Sequence, residues 1–113
     1  MEKYSENRPW GKFEKFTNNE ISTVKIITVE PNQQLSLQYH HKRDEFWRVV
    51  SGKAFITIGE ETKEAKEDDE FFIPRLAKHR ITTKDSKAKI MEISFGVFDE
   101  NDIVRLEDKY KRA

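Results

Sequence analysis

The stretch Leu35-Ser36-Leu37-Gln38-Tyr39-His40-His41-Lys42-Arg43-Asp44-Glu45-Phe46-Trp47-Arg48-Val49-Val50-Ser51-Gly52 decides how the rest of the chain is read. Its first part alternates. Successive side chains of a strand point to opposite faces, so Ser36, Gln38 and His40 share one side and Leu35, Leu37 and Tyr39 the other. Such a polar trio is either the solvent face of an edge strand or the lining of a barrel that holds a metal. The second part, from Glu45 to Val50, reads as another strand, with Glu45, Trp47 and Val49 on one face. A carboxylate on an apolar face needs a partner, because a buried charge is costly unless paired. Ser51-Gly52 then reads as a hairpin turn into Ala54-Phe55-Ile56-Thr57-Ile58.

Outward from this stretch the pattern repeats. Ile21 to Val29, Glu70 to Ile73, Arg80 to Thr83 and Ile90 to Phe95 are further short β-like runs. Gly59-Glu60, Asp68-Asp69 and Lys84-Asp85-Ser86 punctuate them. Many short strands separated by turn signals predict an all-β sandwich or barrel. Only the C-terminus reads as helical, with Asp99 or Asn101 capping a short turn through Ile103, Val104 and Leu106. No linker, repeat or low-complexity tract divides the chain. It is read as one domain over 1–113, with an N-terminal arm at 1–16 packing on the barrel and a C-terminal segment at 99–113.

Composition narrows the function. The 113 residues carry 21 Lys+Arg against 21 Asp+Glu, so no bulk positive charge is available for nucleic acid. No apolar run approaches a membrane span, and Met1 to Asn7 has no signal-peptide core. With Cys 0, disulfides, thiolate metal sites and cysteine nucleophiles are excluded, and a cytoplasmic location is the expectation. Charged residues at 37% and hydrophobic residues at 35% predict a thin core, one that a metal or partner subunit would reinforce. The 12% aromatic content argues against disorder. His79, after the proline turn from Ile73 to Lys78, reads alone as a half-buried, hydrogen-bonded histidine.

Taken together, the histidines say more. Asn32 to Gly52 is similar to the first motif of the cupin superfamily, G-x5-H-x-H-x3,4-E-x6-G. Gln38 takes the first His position, while His40, Glu45 and Gly52 match the second His, the Glu and the last Gly. Asp68 to Thr83 resembles the second motif, G-x5-P-x-G-x2-H-x3-N, with Pro74 and His79 in place. Asn32, Asp68, Leu76 and Thr83 depart from these patterns. Within the superfamily the chain resembles the C-terminal isomerase domain of type II, bifunctional mannose-6-phosphate isomerases. The resemblance rests on Arg8-Pro9-Trp10-Gly11, on Leu35 to Arg43, on Glu45 to Ala54, on Phe72-Ile73-Pro74 and on Asp102 to Arg112. Phe46 stands where that family has His, and Ser94 where it has Gln. The stretch from Gly96 to Asp102 is one residue shorter than its counterpart. These departures are expected near the pocket.

The resemblance implies a cupin (double-stranded β-helix, or jelly-roll) barrel. It implies one divalent metal per chain, Zn, Mn, Fe, Co or Ni, held by Gln38, His40, Glu45 and His79. It implies a stand-alone isomerase that interconverts mannose 6-phosphate and fructose 6-phosphate. Arg105 and Glu45 would be catalytic, and Arg43, Arg105 and Trp47 would contact the sugar phosphate, with Arg112 a weaker phosphate candidate. His41, Glu107 and Asp102 are the sequence candidates for the enolising base. A nucleotide-sugar isomerase or epimerase, a metal-dependent oxygenase and a non-catalytic sugar-binding cupin are the alternatives. A homodimer is expected, covering the apolar side of Leu35, Leu37 and Tyr39.

Overall fold

Runs of β-branched and aromatic residues become strands, and so do the polar stretches 4–8, 11–15 and 61–66, recruited by hairpin pairing. The computed structural model describes residues 3–109. Their strands are β1 (Tyr4–Arg8), β2 (Gly11–Lys15), β3 (Ser22–Val29), β4 (Leu37–Tyr39), β5 (Glu45–Ser51), β6 (Lys53–Ile58), β7 (Glu61–Lys66), β8 (Glu70–Ile73), β9 (His79–Thr82), β10 (Ala88–Phe95) and β11 (Val104–Glu107). They form a β1-β2 hairpin, a four-stranded sheet in the order β3-β10-β5-β8, and a five-stranded sheet in the order β11-β4-β9-β6-β7. From β3 onward the chain switches sheet at every connection except the β6–β7 hairpin. That alternation is the double-stranded β-helix expected from the sequence.

The apolar faces of the two sheets meet in one core. Trp47 and Val49 of β5, Ile73 of β8 and Ile90 of β10 come from one sheet. Ala54 and Ile56 of β6, Ala65 of β7 and Ile81 of β9 come from the other. The outer side of β5 is covered differently. Phe46 stacks on Phe16 at 5.3 Å, and Arg48 pairs with Glu14 and Glu70 at 3.1 and 2.6 Å. The β1-β2 hairpin turns at Pro9-Trp10, and its Lys3 end is tied to Glu70 at 2.8 Å.

Several expectations are corrected. Ser51-Gly52 is not a hairpin, because β5 and β6 lie in different sheets. Gly52 is instead the crossing point. Its φ is +78°, and a Cβ there would sit 2.0 Å from the Lys87 carbonyl oxygen, a place that only glycine can take. A true two-residue hairpin lies instead at Gly59-Glu60, between paired Ile58 and Glu61. No helix forms at the C-terminus among the described residues. Asp99 accepts the Asn101 amide on its side chain and the Asp102 amide on its carbonyl, which closes a turn rather than a helix. Val104 to Glu107 then pair with β4 as a strand. The apolar side of Leu35, Leu37 and Tyr39 is also interrupted. Leu35 precedes β4, packs against the main core and so is not left on an outer face.

The missing motif glycines have a direct structural counterpart. Asn32, Asp68 and Leu76 hold φ of 59°, 74° and 71°, so the turns survive with left-handed backbone on non-glycine residues. Asn and Asp tolerate this conformation, whereas Leu is strained in it. Leu76 is also 56% exposed, so its side chain contributes little packing. Leu76→Gly is therefore expected to stabilise the protein by about 1 kcal/mol, read from urea denaturation midpoints.

Candidate functional site

The first local constraint is register. Gln38 of β4 pairs with His79 of β9, and Glu45 of β5 pairs with Ser94 of β10. His40 follows β4 directly. Its imidazole, that of His79 and the Glu45 carboxylate converge between the sheets, with one ligand atom from each lying within 4.8 Å of the others. All three residues are buried. His40 Nε2 is 3.5 Å from Glu45 Oε2, and His79 Nε2 is 3.7 Å from Oε1.

Both imidazoles are oriented from behind. His40 Nδ1 donates to the Asp102 carbonyl at 2.6 Å, and His79 Nδ1 to the Ala77 carbonyl at 2.9 Å. A proton on each Nδ1 leaves each Nε2 lone pair turned toward the carboxylate, which is how metal-ligating histidines are held. Burial pushes both histidines below their usual range and outweighs the backbone carbonyls and the Glu45 charge, which act in the opposite direction. The neutral, ligating form is therefore favoured. His79 Nε2 is buried with no hydrogen-bond partner in the structure, an arrangement a cation would satisfy. Two imidazoles and a carboxylate suit a first-row divalent ion. The residues fit such an ion.

Glu45 is fully engaged. Arg43 Nε donates to Oε2 at 2.9 Å and Trp47 Nε1 to Oε1 at 3.1 Å. Arg43 also reaches His40 Nε2 at 3.2 Å and the Asp99 carbonyl at 3.2 Å, and its guanidinium lies 4.5 Å from the Phe98 ring centroid. Asp102 clamps the loop from the other side. Its carboxylate accepts the His41 and Lys42 amides at 2.8 and 2.9 Å. Burial would raise its pKa, but these two donors prevail and hold it below the usual carboxylate range.

Beside the cluster lies an open cavity of about 350 Å³, lined by Gln38, His40, Arg43 and Arg105 together with Phe98 and Ile103. Its volume is at the lower end for small-molecule sites. Arg105 reaches it because β11 pairs Arg105 with Gln38. Gln38 Oε1 accepts the Ser36 hydroxyl at 3.2 Å. Trp47 stands apart from the expectation of a sugar contact. It is 1% exposed in the core, behind Glu45, and acts there as a donor. His41 is exposed and packs edge-on to Tyr39, and Glu107 is exposed, 3.6 Å from Arg80. Neither lines the cavity. Arg112 lies outside the described residues. Phe46, expected near the pocket, faces Phe16 on the opposite side of β5.

The buried acid of the cavity escaped the sequence reading. Glu92 of β10 is 6% exposed and lines the same wall. Burial, with the Glu45 charge beside it, pushes its carboxyl up to about 7. The sequence signal was there: Ile90-Met91-Glu92-Ile93-Ser94 sets one acid inside an apolar strand, on the same side as Ile90 and Ser94.

The family described as mannose-6-phosphate isomerase C-terminal matches residues 2–108. The chain belongs to that family. Among relatives of this isomerase C-terminal family member is mannose-1-phosphate guanylyltransferase ManC of Salmonella typhimurium, 40% identical over 108 residues. The match covers 94% of this chain and 22% of ManC. Another is the xanthan biosynthesis protein XanB of Xanthomonas campestris, 41% identical over 94% of this chain and 23% of that protein. The chain thus spans under a quarter of the length of these relatives. A solved cupin protein from Bacteroides fragilis superposes with a TM-score of 0.62 at 27% identity, covering 69% of this chain and 70% of that one. The cupin fold is thereby shared. No helix among the described residues is long and apolar enough to cross a membrane.

The engagement of Glu45 leads to a stability prediction. Trp47→Phe removes the donor to Oε1 while leaving most of the core volume. It should cost about 1–3 kcal/mol, because a buried carboxylate oxygen is left short of a partner. Chemical denaturation of the metal-free protein checks this.

Proposed function

We propose that this domain binds one divalent metal ion through Gln38, His40, Glu45 and His79 and isomerises a sugar phosphate, mannose 6-phosphate to fructose 6-phosphate. The observation that carries the reading is that the His40–Glu45–His79 cluster borders a cavity whose wall also bears Arg43 and Arg105. The family description points to the same chemistry. A bound divalent ion would polarise the sugar carbonyl and stabilise negative charge on its oxygen. The protein's own part is to bind and orient. Arg105 is the phosphate-binding residue, with Arg43 beside it, since guanidinium groups match phosphate oxygens in paired hydrogen bonds. Glu45 holds Arg43 and accepts from Trp47, which fixes the geometry at the reacting end. Phe98 and Ile103 supply apolar wall to the cavity. The site works in the cytoplasm, where sugar phosphates are found.

Protein purified without chelators should carry about one equivalent of metal per chain. His40→Ala should lose it, and unchanged metal content in that variant would sink the ligand assignment. The metal-loaded protein should convert mannose 6-phosphate, followed by coupled assay across Zn, Mn, Fe, Co and Ni. Arg105→Ala should raise KM about tenfold or more, the scale of one lost charge-assisted hydrogen bond. Sugar binding without turnover would favour a binding module. Turnover only of nucleotide-linked sugars would favour another cupin isomerase or epimerase, and oxygen-dependent turnover an oxygenase.

We also propose a homodimer. With Leu35 committed to the core, Val24 and Ile26 on β3, an edge strand, with Ile21 just before it, form an exposed apolar group on one strand. An uncovered apolar edge is a ready surface for a second copy of the chain. Light scattering at micromolar concentration should report twice the 13.5 kDa chain mass, and Ile26→Glu should return it to one.

A further inference from the structure

Two buried glutamates flank the cavity, and they are held differently. Glu45 takes its donors at 2.9 and 3.1 Å. Glu92 receives the Ser94 hydroxyl at 3.4 Å, and the Lys25 ammonium stands 3.9 Å away, both at Oε1. Close charge-assisted contacts run to about 2.7–2.9 Å, so Glu92 is the loosely held one. The position itself is fixed. Glu92 pairs in register with Lys25 on one side and Trp47 on the other, in the middle of an eight-residue strand. Its side chain turns inward with those of Ile90 and Ser94, onto the wall shared with His40, Arg43 and Arg105.

The other acids and imidazoles near the cavity are committed or remote. The Asp102 carboxylate is bound by two amides. His40 uses Nδ1 on Asp102 and Nε2 on Arg43. Glu100 lines the cavity but is exposed to solvent. Among the described residues, only Glu92 combines burial, access to the cavity and a carboxyl without close donors.

We propose that Glu92 is the catalytic group that carries the proton between C2 and C1 of the sugar. This inference rests on the isomerase reading above. The Glu92 carboxylate takes the proton from C2 of the open-chain aldose. The C2–H electron pair becomes the C1–C2 double bond of an enediol, and the C1 carbonyl pair moves onto O1, which gains a proton. In the second half O2 loses its proton and C2 becomes the carbonyl. The double-bond pair then takes the proton at C1 from the Glu92 carboxylic acid. One proton leaves oxygen and one joins it, and no oxidant or reductant is needed. Geometry supports the role, because a buried carboxyl that opens on the cavity and has no close donor is free to take a proton and return it. Lys25 and Arg43, 4.3 and 4.5 Å from the Phe98 ring centroid, hold positive charge at the same mouth.

The test uses the full chain loaded with metal, mannose 6-phosphate in D₂O and detection by NMR. Wild type should convert the sugar and incorporate deuterium at C2 of the aldose and C1 of the ketose. Glu92→Gln should lower both conversion and deuterium incorporation about a hundredfold or more, the scale of a general base. Its metal content should be unchanged and its Tm no lower, since the neutral isostere relieves a buried charge. Glu92→Asp should recover part of the exchange. Wild-type activity with Glu92→Gln retaining more than a tenth of both rates would overturn the assignment and leave Glu92 as a partner for Lys25. Loss of metal or of fold together with activity in Glu92→Gln would overturn it too. A wild type that neither converts the sugar nor exchanges its C2 hydrogen would instead overturn the isomerase reading, and this assignment with it.

Discussion

A buried carboxylate cannot stand alone, and Glu45 is the one around which this protein is arranged. It is 1% exposed. Removing such a charge from water costs several kcal/mol before any partner is counted. The structure offsets that cost with the Arg43 guanidinium and the Trp47 indole N–H, and it turns the lone pairs of two imidazoles toward the same carboxylate. Each of these has its own support: Asp102 behind His40, Ala77 behind His79, and Phe98 beneath Arg43. An apolar core of the same volume would be at least as stable. The arrangement makes sense as a place for a cation and a polar ligand.

Topology explains how so few residues suffice. Because the chain changes sheet at nearly every connection, residues distant in sequence fall on adjacent strands. Gln38 and His79 become neighbours, as do Gln38 and Arg105. Glu92 lies across from Trp47, and Glu45 across from Ser94. The thin core predicted from composition is real. It is built from medium-sized aliphatic residues and one tryptophan, with the polar cluster at its edge.

Much of this was legible in the sequence. The i, i+2 alternation of Ser36, Gln38 and His40 is a geometric property of strands, and the Ser36–Gln38 hydrogen bond follows it. His40, Glu45 and His79 came from motif spacing and do converge. What was not legible depended on tertiary contacts. Gly52 looks the same in a hairpin as in a sheet crossing, and only the Lys87 carbonyl distinguishes them. The C-terminal apolar residues fit a helical turn locally, but pairing with β4 made them a strand. Leu35 was drawn from its expected side by the core. Glu92 belongs to no histidine motif, and its one mark in the sequence is that of an acid set inside an apolar strand. The left-handed Asn32, Asp68 and Leu76 show that a turn can persist after its glycine is gone.

Asp102 joins two parts of the molecule that share no strand. Its carbonyl sets which nitrogen of His40 carries the proton, and its carboxylate holds the next two amides. It sits immediately before the segment that leads to β11 and Arg105. Seating of the C-terminal strand and the ligating strength of His40 are therefore parts of a single equilibrium. Thermodynamic reciprocity then applies: whatever strengthens binding at the imidazole must, by the same factor, favour the docked C-terminal strand. A site of this kind, once occupied, would report its occupancy through the order of the strand paired beside it.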